Sequence, residues 1–325
     1  MMPSMPERSP SPAALGSALE CAIRHHEPLA RHTVWGVGGR ADRYFEPGSI
    51  EELERFLATL PQDEPLLWLG LGSNLLVRDG GVRGTVISTL RLRSVEATGD
   101  KGLRAEAGAT CPKVARFAAR KGLAGCEFLV GIPGSIGGAL AMNAGAFGGE
   151  IWPLIKQVET IDRLGRRRIR PHNDYRHGYR RLEGPPGEWF VACRLDLVDD
   201  AEGEAFARIR SLLQRRQASQ PVGERSCGSV FRNPPGDYAG RLIEACGLKG
   251  HRVGGAVVSE KHANFILNEE GASAADLESL IVEVADEVKQ RQGVRLVPEV
   301  RIVGEESSNA SGPAPIDGTR EPFDG

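Results

Sequence analysis

Two glycine-rich segments hold the residues best placed to do chemistry. Gly70-Leu-Gly-Ser-Asn74 follows an apolar run, and Gly131-Ile-Pro-Gly-Ser-Ile-Gly-Gly138 leads into Asn143-Ala-Gly-Ala-Phe-Gly-Gly149. Successive glycines let backbone N–H groups converge on an anion with no Cβ in the way, so a pyrophosphate is the natural guest. Neither segment is a dinucleotide fingerprint, because position 75, where the third glycine would fall, is Leu. No Gly-Lys-Ser/Thr marks a P-loop. For residues 70–74 a plain tight turn is an equally good reading. The stretch 131–149 is different: seven glycines beside Pro133 and Asn143 exceed what a turn requires. These residues alone point to a large phosphorylated or flat ligand.

No rival site emerges. The seven histidines form no His-Glu-x-x-His, and the six cysteines form no Cys-x-x-Cys pair. A zinc centre and a disulfide framework are therefore both disfavoured, and free thiols suggest a reducing cytosol. The net charge of −2 calls for neither nucleic acid nor an anionic membrane. Residues 128–149 carry no formal charge and mimic a membrane span, but their glycines, Pro133 and Asn143 favour a buried, ligand-facing backbone. The opening MMPSMPERSPSP has no apolar centre and cannot be a secretory signal.

The elements that must position these segments read as α+β. Glycine, at 41 of 325 residues, is roughly double its usual share of about 7%. Ser49-Ile-Glu-Glu52 predicts a capped helix with Ile50, Leu53, Phe56, Leu57 and Leu60 on one face. Leu66–Leu69, Leu75–Val77 and Thr85–Ser88 read as strands cut by glycines, and Pro112 opens a helix that Gly122 ends. Strands return at Val158–Ile161, Arg167–Arg170 and Phe190–Val198. After a basic helix to about Arg216, further helices are predicted at Ala239–Cys246 and from Ser273 to Gly293. A strand is predicted over Arg295–Val303. We expect an N-terminal tail (residues 1–24), a first domain (25–205), a smaller α+β second domain (206–304) and a disordered C-terminal tail (305–325).

HTVWGVGGRAD, GLGSNLLVRDGGVRGTVI, GIPGSIGGALAMNAGAFGGEI, GYR, GSVFRNP, AGRLIEACGLKG, KHANFILN and VPEVRIVG occur in this order. Together they resemble the UDP-N-acetylenolpyruvoylglucosamine reductase (MurB) family over about Arg31 to Gly304, as the shorter subtype without a tyrosine-bearing loop. The resemblance implies an FAD-binding domain of the vanillyl-alcohol-oxidase (PCMH) type, then a C-terminal substrate domain. It implies non-covalent FAD, NADPH as co-substrate, no metal, and a cytoplasmic enzyme expected to be monomeric. The reaction implied is reduction of UDP-GlcNAc-enolpyruvate to UDP-N-acetylmuramate in peptidoglycan synthesis. NADPH and substrate would use one cleft in turn.

By resemblance, cofactor contacts fall on Gly70, Gly72, Ser73, Asn74, Gly131, Pro133, Gly134, Ser135, Gly137, Gly138, Asn143, Ala144 and Gly145. Arg180, Ser229 and Glu299 match the catalytic positions; in DYRHGYRRLEG, Arg176 is the alternative to Arg180. Hydride delivered to C3 of the enolpyruvyl group leaves electron density at C2 and on its carboxylate. A fixed guanidinium beside that carboxylate stabilises the charge as it develops. Ser229 would protonate C2, and a protonated Glu299 would hydrogen-bond the carboxylate. Tyr179, Arg216, Gln220 and Asn233 are candidate substrate contacts, with Arg215 near them. Arg232 stands where many relatives have Lys. His262 reads as a supporting residue. A flavin oxidase with cofactor tethered through Cys111 or Cys126 would share the fold; a flavin- or nucleotide-binding module without turnover is the alternative from another class.

Overall fold

The computed structural model describes residues 22–307, so Cys21 and most of both expected tails lie outside the described residues. Within them the chain builds two sheets, a helical layer, and a smaller C-terminal unit. The first sheet orders its strands Arg24–Pro28, Arg40–Phe45, Val82–Ser88, Leu66–Leu69; the last three run parallel and the first antiparallel. The second is antiparallel, in the order Arg167–Pro171, Ile155–Asp162, Glu188–Asp196, Gly102–Glu106, Val95–Thr98.

Helix α1 (Ile50–Leu57) joins the two sheets. The Ser49 hydroxyl accepts from the Glu52 N–H, and the Glu52 carboxylate reaches back to the Gly48 N–H. Its apolar face, Ile50, Leu53, Phe56 and Leu57, is buried against Phe45 and Ile87 of one sheet and Ile161 and Val191 of the other. Helix α2 (Cys111–Arg120) starts at Thr110 with Pro112 in its first turn. Helix α3 (Ile136–Ala141) starts at Ser135, whose hydroxyl accepts from the Gly138 N–H. The uncharged 128–149 stretch is thus a short 3-10 turn, a six-residue helix and a loop. Among the described residues no helix is long and apolar enough to cross a membrane.

The expected boundary near residue 205 coincides with the start of helix α4 (Ala205–Ser219). Yet Ala205 and Ile209 bury themselves in the first core, beside α2 and α3. The second core takes its residues from Cys227 onward, together with Trp35, Val37 and Leu76 of the N-terminal part. It contains helix α5 (Ala239–Ala245), helix α6 (Ala274–Gln292) and the strands Arg252–Val253, Ala256–Val258 and Ile266–Asn268. Ser273 and Asp276 close a reciprocal capping box on α6, and Gly293 ends it at φ +70°.

The strand expected over Arg295–Val303 forms only at Arg301–Val303. Pro298, which has no N–H to donate, makes a single bridge to Phe231, and the chain bends there before resuming. Arg301–Val303 then runs parallel to Leu75–Val77, so this segment returns to the first domain. The expected C-terminal tail also starts later than position 305, because Glu305 and Gly80-Gly81 exchange backbone hydrogen bonds.

Three further contacts tie the units together. The Trp35 indole donates to the Ile266 carbonyl at 2.9 Å, and Asn268 returns an amide to the Trp35 carbonyl at 2.8 Å. Arg78 forks onto Glu278 of α6 at 2.9 and 2.7 Å, and Asp79 accepts from the first free N–H groups of α6 at Ala274 and Ala275. The Arg78–Glu278 pair is largely sheltered, so removing one partner strands the other's charge. Arg78→Ala and Glu278→Ala should each cost about 2 kcal/mol in urea melts, and the double variant clearly less than their sum.

Candidate active site

The two glycine segments lie against each other. A Cβ at Gly70 would meet the Ser135 hydroxyl at 2.3 Å, and one at Gly134 would reach the Ser73 hydroxyl at 3.6 Å. Among the described residues no oxygen accepts from the N–H groups of Gly72, Ser73 and Asn74, or from those of Gly134 and Ser135. Backbone donors left without acceptors along converging loops form a cradle for an anion. This fits the pyrophosphate of a dinucleotide such as FAD, with Gly70–Asn74 and Gly134-Ser135 as its walls.

The glycines divide into two kinds. Gly72 sits at φ +61°, and a Cβ there would fall 2.1 Å from the His32 carbonyl; Gly131 would strike Phe147, Gly137 would strike Ala107, and Gly145 the Gly149 carbonyl. Protein packing demands these. Gly138, by contrast, is exposed, and a Cβ there would meet nothing nearer than 3.6 Å. Pro133 is exposed beside the cradle. Ala144 spends both backbone groups inside the protein, donating to Ala139 and accepting from Ile151.

Three of the sequence-derived residues come together from distant parts of the chain. Arg180 lies at the tip of a two-stranded hairpin, Arg176–Gly178 paired with Arg181–Glu183, at φ +54°. Left-handed backbone is uncommon for a residue other than glycine and tends to be kept where function fixes it. From there its Nε donates to Glu299 Oε1 at 2.6 Å and its Nη2 to the Gly145 carbonyl at 3.1 Å. Arg176, the alternative, is exposed on the hairpin strand, and its backbone pairs with Glu183.

The third residue follows from the backbone. Glu299 donates its N–H to the Val230 carbonyl at 2.7 Å, which sets Ser229 on the segment beside it. Gly228, at φ +83°, turns the chain into Ser229, which is partly exposed. Burial raises the Glu299 pKa above the ordinary 4.5, while the guanidiniums of Arg180 and Arg232 pull it back.

The other candidates differ in their surroundings. Tyr179 is half exposed, with the Arg180 guanidinium 5.3 Å from its ring centroid. Arg215 stacks over Phe147 of the glycine-rich loop, bringing the end of α4 to the cleft. Next to it Arg216 is partly buried, its pKa lowered by that burial, and it donates to Gln220. Asn233 is exposed, but its side-chain oxygen already accepts from the Ala239 N–H and starts α5.

Two asparagines have structural work that local sequence did not disclose. Asn74 donates to the Glu299 carbonyl at 3.0 Å, pinning the Glu299 segment from the cradle side. Asn264, 3% exposed, both accepts from and donates to the Phe231 backbone and so clamps the Ser229 segment. Its signal was an Asn set among the apolar Ala263, Phe265 and Ile266. His262 supports it, accepting the Asn264 N–H at 3.2 Å, and burial lowers its pKa.

Cys111 and Cys126 are core residues whose thiols burial pushes up to about 12, so neither is an available thiolate for a flavin tether. Among the described residues no group of three or more His, Cys, Asp or Glu could hold a metal ion.

A cradle for a dinucleotide in one unit, closed by a carboxylate and a serine from another, defines a two-part FAD-dependent oxidoreductase. Residues 41–168 match the model of an FAD binding domain, and residues 220–303 that of the UDP-N-acetylenolpyruvoylglucosamine reductase C-terminal domain. The chain is 58% identical over 287 residues to the UDP-N-acetylenolpyruvoylglucosamine reductase of Alkalilimnicola ehrlichii, covering 88% of this chain and 96% of that one. It is 58% identical over 281 residues to that of Methylococcus capsulatus, covering 86% and 92%. The crystal structure of the Thermus caldophilus enzyme superimposes with a TM-score of 0.74 at 36% identity, covering 86% of this chain and 97% of that one. The chain belongs to the UDP-N-acetylenolpyruvoylglucosamine reductase family, and its first domain is of the vanillyl-alcohol-oxidase (PCMH) type.

Adjacent glycines should respond oppositely. Gly138→Ala should stabilise the flavin-free protein by about 0.5 kcal/mol, as alanine does within a helix, yet weaken flavin retention about tenfold. Gly137→Ala should destabilise it by more than about 1 kcal/mol. Melting and flavin titration would check both. The Glu299 carboxyl binds its proton more tightly folded than unfolded. Its contribution is therefore complete below the unfolded value and lost as pH rises through the folded one. Relative to the wild type, Glu299→Gln should gain stability as pH rises above the ordinary glutamate value of 4.5 and through the raised folded value, read in urea melts.

Proposed function

We propose that the chain reduces the enolpyruvyl ether of UDP-GlcNAc-enolpyruvate to the lactyl ether of UDP-N-acetylmuramate, with NADPH as reductant, in peptidoglycan synthesis. Arg180 held at 2.6 Å from Glu299, beside the Ser229 segment, is the observation that carries this reading. FAD, when bound, would supply hydride chemistry, accepting it from NADPH and delivering it to C3 of the enolpyruvyl group. The free backbone N–H groups of Gly72, Ser73, Asn74, Gly134 and Ser135 would hold the cofactor.

The chain's own residues then manage charge and protons. Arg180 binds the substrate carboxylate, and its fixed cation opposes the negative charge that accumulates there. Glu299, sheltered and with its pKa raised by burial, shares its proton with the same carboxylate. The Ser229 hydroxyl gives its proton to C2; a serine is a weak acid, but an enolate carbon is basic enough to take it. Tyr179, Arg216, Gln220 and Asn233 line the approach for the nucleotide. NADPH and substrate enter the same cleft alternately. In this reading the enzyme works as a monomer in the cytoplasm, where the five cysteines of the described residues, buried and unpaired, remain reduced.

Two measurements test the reading. Steady-state kinetics should give parallel double-reciprocal lines with substrate inhibition; intersecting lines would refute alternate occupancy. Ser229→Ala should leave flavin reduction by NADPH within about twofold and slow reoxidation by substrate more than about a thousandfold. Equal slowing of both half-reactions would remove Ser229 as the proton donor.

A further inference from the structure

The hairpin that carries Arg180 is weakly attached for its importance. Its strands, Arg176–Gly178 and Arg181–Glu183, pair only with each other among the described residues. A two-stranded ribbon is marginal without further support. At its base Tyr175 is buried against Trp152, with ring centroids 4.7 Å apart, and Gly184 lies directly on the Tyr175 ring. That fixes where the ribbon leaves the core. It leaves the position of the tip to whatever grips it farther out.

The grip comes from Asn143. This residue is wholly buried and sits at φ +45°, a left-handed conformation that asparagine tolerates better than most residues. One amide hydrogen goes to Glu150 Oε2 at 2.8 Å and the other to the Gly178 carbonyl at 2.9 Å. Its oxygen accepts the Trp152 N–H at 3.3 Å. Both donors and an acceptor lone pair are thus spent on protein. A second bond runs the other way: Arg180 Nη2 donates to the carbonyl of Gly145, two residues after Asn143. The segment Asn143–Gly145 and the tip Gly178–Arg180 are therefore pinned at both ends.

We propose that Asn143 is a positioning residue for the reduction, holding the Arg180 hairpin at the cleft rather than binding the flavin through its side chain. This rests on the reading that Arg180 binds the substrate carboxylate. Bonds that fix a carbonyl two residues before a guanidinium restrict where the guanidinium can reach. Without them the tip is held only through Arg180 itself, and Arg180 samples positions where it opposes the developing charge less well.

The test is a double-mutant cycle on the flavin-loaded enzyme, read on the two half-reactions separately. Asn143→Gly keeps the left-handed backbone and deletes the three side-chain bonds. It should retain flavin with an unchanged visible spectrum, and slow reoxidation by UDP-GlcNAc-enolpyruvate about thirtyfold while slowing reduction by NADPH less than about threefold. In an Arg180→Ala background the same change should cost less than about twofold more, because the group it positions is gone. Loss of flavin, failure to fold, equal slowing of both half-reactions, or full additivity with Arg180→Ala would each overturn the proposal. If wild-type enzyme reduced by NADPH is not reoxidised by this substrate at all, the functional reading fails instead, whatever the variants do.

Discussion

The site depends on one ion pair formed between two units of the fold. Arg180 reaches Glu299 from a hairpin of the first domain, across 119 positions of sequence, and the contact is closed only because the C-terminal segment is itself held from three directions. Asn74 grips the Glu299 carbonyl, the Val230 carbonyl takes its N–H, and Arg301–Val303 docks beside Leu75–Val77. A charged pair this sheltered requires fixed geometry on both sides, since a buried charge that loses its partner costs far more than the pair contributes.

That requirement explains where the molecule concentrates its polar side chains. Arg78 and Asp79 fasten α6, Trp35 and Asn268 exchange hydrogen bonds between the units, and Asn264 clamps the Ser229 segment. The first two sets join the units, whereas Asn264 braces the second unit internally. Apolar burial holds each core together, but it is non-directional. Hydrogen bonds with short side chains supply the register that a reaction needs. The glycine segments make the same division visible: some glycines let backbones cross closely, and others leave a face clear for the cofactor.

A protonated Glu299 fits the enolate chemistry, and burial pushes its pKa that way. The Arg180 contact pushes back. A substrate carboxylate arriving at Arg180 weakens the hold of the guanidinium on Glu299 and adds a second anion nearby, and both changes favour the proton. In the proposed reading the ionisation of the site is therefore tied to its occupancy.

Local sequence determined most of the elements. Ser49, Pro112, Ser273, Gly247 and Gly293 start or stop helices because a cap or a left-handed residue acts through neighbours three or four positions away. The strands at 66–69 and 75–77 were legible from short apolar runs, those at 155–162 and 188–196 only in part, as Val158–Ile161 and Phe190–Val198, and ordered motifs disclosed the family. Tertiary structure alone decided the rest. It brought Arg180 rather than Arg176 to Glu299, although the two Tyr-Arg pairs look alike, because only the hairpin tip faces the C-terminal segment. It placed α4 on the first core, cut the final strand short at Pro298, and bonded the Asn143 side chain to the Gly178 carbonyl of the hairpin. All of these rest on contacts between residues far apart in the chain, and no periodicity or cap records such partners.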